Sequence, residues 1–203
     1  TRFGAARRWR MVADVHDSLE ASLDRLRLVY DDWWRRWRVQ EHDPILDIPT
    51  EYERTNEVRY AAVIFSMQDV NELMDARNLL IANHHGAEIA AALAAYQRTL
   101  STAPADVTMT YSTHLRKRSD SDPYDSAFGP FRYQRTSTRQ AINAPQGRVW
   151  VPAGTGVLYS RGRNGRDDYD PRNGWEHNVD GSTGDIVIWP PVRGLLRESG
   201  MIE

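Results

Sequence analysis

The chain has 203 residues, enough for one domain with a proper core or two small units, and its 40% hydrophobic and 27% charged content excludes wholesale disorder. A net charge of −2 excludes nucleic-acid binding driven by bulk electrostatics, so no nucleic-acid partner is expected. The absence of cysteine excludes disulfide scaffolds, thiolate zinc sites and cysteine nucleophiles.

Of 26 basic residues, Lys117 alone is a lysine. Arginine forks pair with carboxylates and stack on aromatic rings, which suits protein interfaces; a coding bias toward arginine gives the same composition. No run approaches the roughly 20 apolar residues that span a bilayer. No signal peptide precedes Thr1, and Thr1-Arg2-Phe3 does not read as a natural start, so a membrane anchor removed upstream of Thr1 is an expectation.

In chain order, the first pattern is helical. Val12, Val15, Leu19, Leu23, Leu26, Tyr30, Trp33 and Trp37 fall in steps of three and four, which predicts one long amphipathic helix with a coiled-coil-like seam. Asp14, Asp17, Glu20 and Asp24 come early and Arg35, Arg36 and Arg38 late, complementing the helix dipole. The helix should stop before Pro44. Asp43–Pro49 then reads as a connection, and Thr50 and Glu53 have capping-box spacing. A second helical pattern follows through Val63, Met67, Val70, Met74 and Ile81 to Tyr96, with Gly86 the point where it would kink or break. Two long helices with a short connection predict a helical hairpin over residues 1–100.

After Pro104 the period changes. Runs at Val107–Thr113, Phe131–Thr136, Arg148–Val151, Gly156–Ser160 and Asp185–Trp189 predict a small antiparallel sheet in residues 101–203. Residues 164–184 form a loop too long to be idle. The fold class is therefore α+β: long N-terminal helices followed by a small sheet.

Four segments then resemble a known family. Ala91-Ala92-Leu93-Ala94-Ala95-Tyr96 resembles the end of a pilin helix, and Asp122-Pro123-Tyr124 with Gly129-Pro130-Phe131-Arg132-Tyr133 resembles the "DPWGxPYxY" segment of type II secretion major pseudopilins. The run from Val157 to Asp168 resembles their "YSxGxDGxxGG" turn, and Gly184-Asp185-Ile186-Val187-Ile188-Trp189 their closing strand. The pieces keep the family's order over residues 85–190. The resemblance implies a pilin-like head, an extracytoplasmic location (periplasm, cell envelope or outside the cell), and self-association or docking on other pilin-like secretion subunits. Residues 1–84 have no counterpart in a standard pseudopilin, and the processing site and polymerising helix of the family are not in the sequence.

The resemblance also implies calcium in the loop before the last strand, with Asp167, Asp168 and Asp185 as first ligands, Asp170 and Asp180 next, and the Arg161 carbonyl beside them. The residues fit independently, since calcium accepts six to eight oxygens in irregular geometry. Pro171 and the missing bidentate glutamate exclude an EF-hand, and a solvated acidic turn is the other reading. His84, His85 and Glu88 lack the zinc-hydrolase arrangement, and no nucleophile elbow, phosphate loop or dinucleotide fingerprint occurs, so catalysis is not expected. Trp33-Trp34-Arg35-Arg36-Trp37-Arg38 is a candidate surface for a partner protein, membrane headgroups or an acidic polymer. Its alternative is a core seam through Trp33 and Trp37, which leaves Trp34 off the seam.

Overall fold

A computed structural model describes residues 2–39, 43–67, 71–111, 113–115, 121–125, 127, 129–179 and 181–203, leaving aside the side chains of residues 2, 3, 71 and 72. The chain is α+β, with helices first and small sheets after. It divides into two compact units, Thr1–Ala76 and Arg77–Glu203, so the boundary lies inside a helix rather than at residue 100.

In the first unit the long helix expected from the heptad is two: α1 (Arg2–Val15) and α2 (Leu19–Arg38). The break has a tertiary cause that periodicity does not contain. The Asp17 backbone N–H donates to the Arg59 carbonyl (2.9 Å), the Asp17 carboxylate pairs with the Arg59 guanidinium (2.7 Å), and the Ala62 N–H donates to His16 Nε2 (3.2 Å). The Ser18 N–H and Arg59 hold the Asp17 carboxyl below the usual range. Ser18 then caps α2, its hydroxyl accepting from the Ala21 N–H at 3.1 Å. The capping box at Thr50 and Glu53 forms reciprocally, with N–H to side-chain oxygen distances of 2.7 and 3.1 Å, but it opens turns rather than a helix. Residues 39–70, including the short helix α3 (Ala61–Ser66), separate α2 from α4 (Asn71–Leu100), so the connection is not the short link of a simple hairpin. Val70, expected on the second helical face, lies outside the described residues.

The second unit is organised around β4 (Gly156–Ser160), every residue of which is buried. It lies between β1 (Arg132–Arg135) and β6 (Ile186–Trp189) in an antiparallel three-stranded sheet. A second sheet is mixed: β2 (Gln140–Ala144) pairs antiparallel with β3 (Gly147–Val151) and parallel with the two-residue β5 (Trp175–Glu176). Strand alternation splits the core. Leu158 packs with Ala82, Ile89 and Leu93 of α4, while Val157 and Tyr159 join Ile142, Val149, Trp175 and Val187 in a cluster closed by α5 (Val192–Glu198).

Two expectations are corrected here. Val107–Thr113 is not a strand: residues Val107–Thr110 are a 3₁₀ turn, because the Asp106 carboxylate accepts the Thr108 N–H (2.8 Å) and caps it. Gly86 does not end α4, which continues through it. It lets β6 approach the helix, since a Cβ there would strike the Ile188 side chain. Gly86→Val should lower stability by about 1–3 kcal/mol in chemical denaturation. Adding Ile188→Ala should cost less than the sum of the two single changes, as a direct contact requires.

Candidate cation loop and Trp/Arg surface

The loop that precedes β6 is folded back on itself. The Arg163 N–H donates to the Gly181 carbonyl (2.8 Å), and Gly162, at φ +67°, sits so close to the Gly184 carbonyl that no side chain fits. Asp185 closes the loop with its backbone: its N–H donates to the Glu176 carbonyl (2.7 Å), and its carbonyl accepts from the Asn178 N–H (3.0 Å).

The Asp185 side chain is fully buried, which is costly for a charge. One oxygen, Oδ1, accepts from the Asp168 N–H at 3.4 Å; Oδ2 has no hydrogen-bond partner among the described residues. Burial pushes its carboxyl up to about 7, and the nearby charges of Asp167, Asp168 and Asp122 push the same way. A neighbouring imidazole offers no relief. His177 is buried and held neutral, its ionisation lowered to about 4, and its Nδ1 accepts the Val187 N–H at 3.0 Å.

The expected ligands are thus brought together only in part. Asp167 accepts from the Tyr159 hydroxyl (3.1 Å) and the Tyr169 N–H (3.3 Å), and Asp168 from the Asn164 amide (2.6 Å). Asp170 is turned into its own loop, taking the Arg172 N–H (2.9 Å) and the Asn173 amide (2.7 Å). Asp180 lies outside the described residues. Among the described residues no three acidic or histidine side chains gather into a complete ligand set. What fits a hard cation is the donor chemistry at Asp185: a buried oxygen without a donor among the described residues, under the influence of the Asp167 and Asp168 charges, while Gly184 next to it lines a cleft of about 510 Å³ with Asn164, Asp168, Glu176 and Asn178. The Arg161 N–H donates to Asp122 (3.1 Å) and its guanidinium pairs with Asp125 (3.4 Å); neither contact uses the carbonyl expected as a ligand.

Asp122 was not among the expected residues. It is fully buried and accepts from the Ser160 hydroxyl (2.7 Å), the Tyr124 N–H (3.0 Å) and the Arg161 N–H, which ties the Asp122–Asp125 turn to the end of β4. Burial raises its carboxyl to about 6. Its signal was its place in the Asp122-Pro123-Tyr124-Asp125 turn, which reads as loop chemistry without revealing the partner 38 positions later.

The Trp33–Arg38 run divides by helix face. Arg36 is only 5% exposed, so it is withdrawn from any partner: its Nε meets Asp32 at 2.9 Å, and its other nitrogens donate to the carbonyls of Ile45 (2.7 Å) and Pro49 (3.3 Å). Asp32 in turn accepts the Glu51 N–H at 3.0 Å. Trp33 is half-buried against Tyr30 and Tyr52, with ring centroids 5.6 and 5.9 Å apart. Trp34, Arg35, Trp37 and Arg38 are exposed, with the Arg38 guanidinium 4.4 Å over the Trp34 ring. His84 and Glu88 stand 4.0 Å apart on the surface of α4.

Arg36→Ala should cost about 3–5 kcal/mol, because it leaves Asp32 buried without its counter-ion, while Arg38→Ala changes stability by less than about 0.5 kcal/mol. Asp122→Ala should cost about 1–3 kcal/mol by orphaning buried donors. Urea melts of the three variants measure each value. No family model matches the chain, and comparison with curated proteins and with solved structures likewise finds no match.

Proposed function

We propose that the chain is a non-enzymatic structural subunit of a cell-envelope or extracellular assembly, pseudopilin-like in its second unit, with a C-terminal loop stabilised by calcium. The observation that carries this reading is the Asp185 carboxylate, buried at the entry to the last strand with one oxygen lacking a donor among the described residues. Its support comes from the order helix, sheet, acidic loop and closing strand, with α4 laid along the sheet through Leu158 and Gly86. Calcium would supply the positive charge that this pocket of carboxylates lacks. Asp185 would anchor it, Asp167 and Asp168 would complete the acidic side, and Asp180 is the remaining candidate.

The role this implies is mechanical. The ion fixes the loop, the loop fixes Asp185, and Asp185 holds the start of β6 against its neighbours. The expected setting is extracytoplasmic, where calcium is abundant, with copies of the chain or other pilin-like secretion subunits as partners. Among the described residues no helix is long and apolar enough to cross a membrane. A second reading, a binding module for a partner protein, a membrane surface or an acidic polymer, is favoured by one observation: the exposed Trp34 ring with Arg38 stacked on it.

Calorimetry tests the first reading. Calcium at a hundred times its dissociation constant should stabilise the chain by about 2.7 kcal/mol, raising the thermal midpoint reversibly with chelation. Asp185→Asn should keep the fold and lose that response. Melting curves of the wild-type chain that coincide in calcium and in chelator would remove the ion from the proposal.

A further inference from the structure

Helix α2 is turned inside out relative to an ordinary amphipathic helix. Its buried face carries Ser22, Asp32 and Arg36 beside Val29, with the half-buried Arg25 pairing with Glu51 at 2.9 Å. Its apolar stripe faces solvent: Leu19 is 76% exposed, Leu23 54%, Tyr30 57% and Trp34 57%, with Trp37 exposed on the same side. Those positions recur in steps that keep one face of a helix, so an apolar stripe is exposed along α2. Alongside its C-terminal half runs an open groove of about 730 Å³, formed by Tyr30, Trp33, Trp34 and Trp37 on one side and by Met67 and Met74 on the other.

We infer that this stripe is covered by α2 of a second copy of the chain, lying antiparallel. Charge order along the helix selects the occupant. The exposed acids Glu20 and Asp24 stand in the first turns and the exposed Arg35 and Arg38 in the last, with Arg27 and Asp31 between. A parallel copy would set acid on acid and arginine on arginine. An antiparallel copy sets Glu20 and Asp24 against Arg38 and Arg35, and Arg27 against Asp31. The same alignment brings Leu19 and Leu23 of one copy to Trp37 and Trp34 of the other, placing aliphatic side chains in the aromatic groove. A two-fold interface of this kind is closed and self-complementary. A free acidic or membrane-bound partner would satisfy the arginine end alone and leave Leu19 and Leu23 in water.

This deepens the subunit reading by naming its self-contact, and the experiment keeps the two apart by running in chelator as well as in calcium. Sedimentation of the chain should give a species of twice 23.3 kDa in both. Loss of calcium response with the dimer intact would count against the ion only. Leu23→Glu alters an exposed residue, so it should keep the far-UV spectrum and weaken the dimer by about tenfold or more. Glu20→Arg with Asp24→Arg, and separately Arg35→Glu with Arg38→Glu, should each give monomers that pair again when mixed, less so at high salt. Orientation is read from a nitroxide at Glu20→Cys, the chain having no other cysteine. Antiparallel packing separates the two labels by about 27 Å along the axis, while parallel packing sets them side by side. A wild-type chain that stays monomeric overturns the inference, as does a dimer indifferent to Leu23→Glu or one with adjacent labels.

Discussion

The double-sided burial of β4 is the constraint on which the second unit depends. A strand whose alternate side chains must both find apolar partners needs a layer on each face, and here those layers are α4 and the second sheet with α5. Leu158 looks one way, Val157 and Tyr159 the other, and Ser160 ends the strand by donating to Asp122. That single hydroxyl lies at the meeting point of core and loop. The turn at Asp122, the pairing of β6 and the approach of Asp185 all follow from where β4 stops.

The same logic explains the acidic loop. Burial makes the Asp185 carboxyl hold its proton to about 7, and the nearby charges of Asp167 and Asp168 push the same way. Loops of this length seldom persist without something to hold them. Here backbone bonds from Asp185 and Arg163 hold its ends, and Asp167, Asp168 and Asp170 are held by hydrogen bonds from Tyr159, Asn164 and Asn173.

What the sequence showed depended on whether local chemistry decided the outcome. Four of the strands were legible because they are short alternating or β-rich runs set off by glycine, proline and aspartate, and α4 because its face repeats every three to four residues. The break at His16–Ser18 was not, since it is made by Arg59 and Ala62. Nor was β5, two residues that pair parallel with Ile142 and Asn143, or β2, whose partners include that distant segment. At Val107 a side-chain cap overcame β propensity. In the loop, the expected ligands were Asp167, Asp168 and Asp185 with Asp170 next; composition does not reveal that the Asp170 carboxylate turns into its own loop. On α2 the heptad was read as a core seam, but most of its apolar stripe is exposed, because the ionic pair Asp32–Arg36 took the inner face.

The approach of Ile188 to Gly86 sets an order on synthesis. These residues are about a hundred positions apart, and pairing at such distance is among the slowest steps of folding. Until β6 has emerged, the face of α4 around Gly86 has no strand to meet, and a nascent chain must carry that apolar surface open. Such surface is prone to aggregation until the last strand covers it.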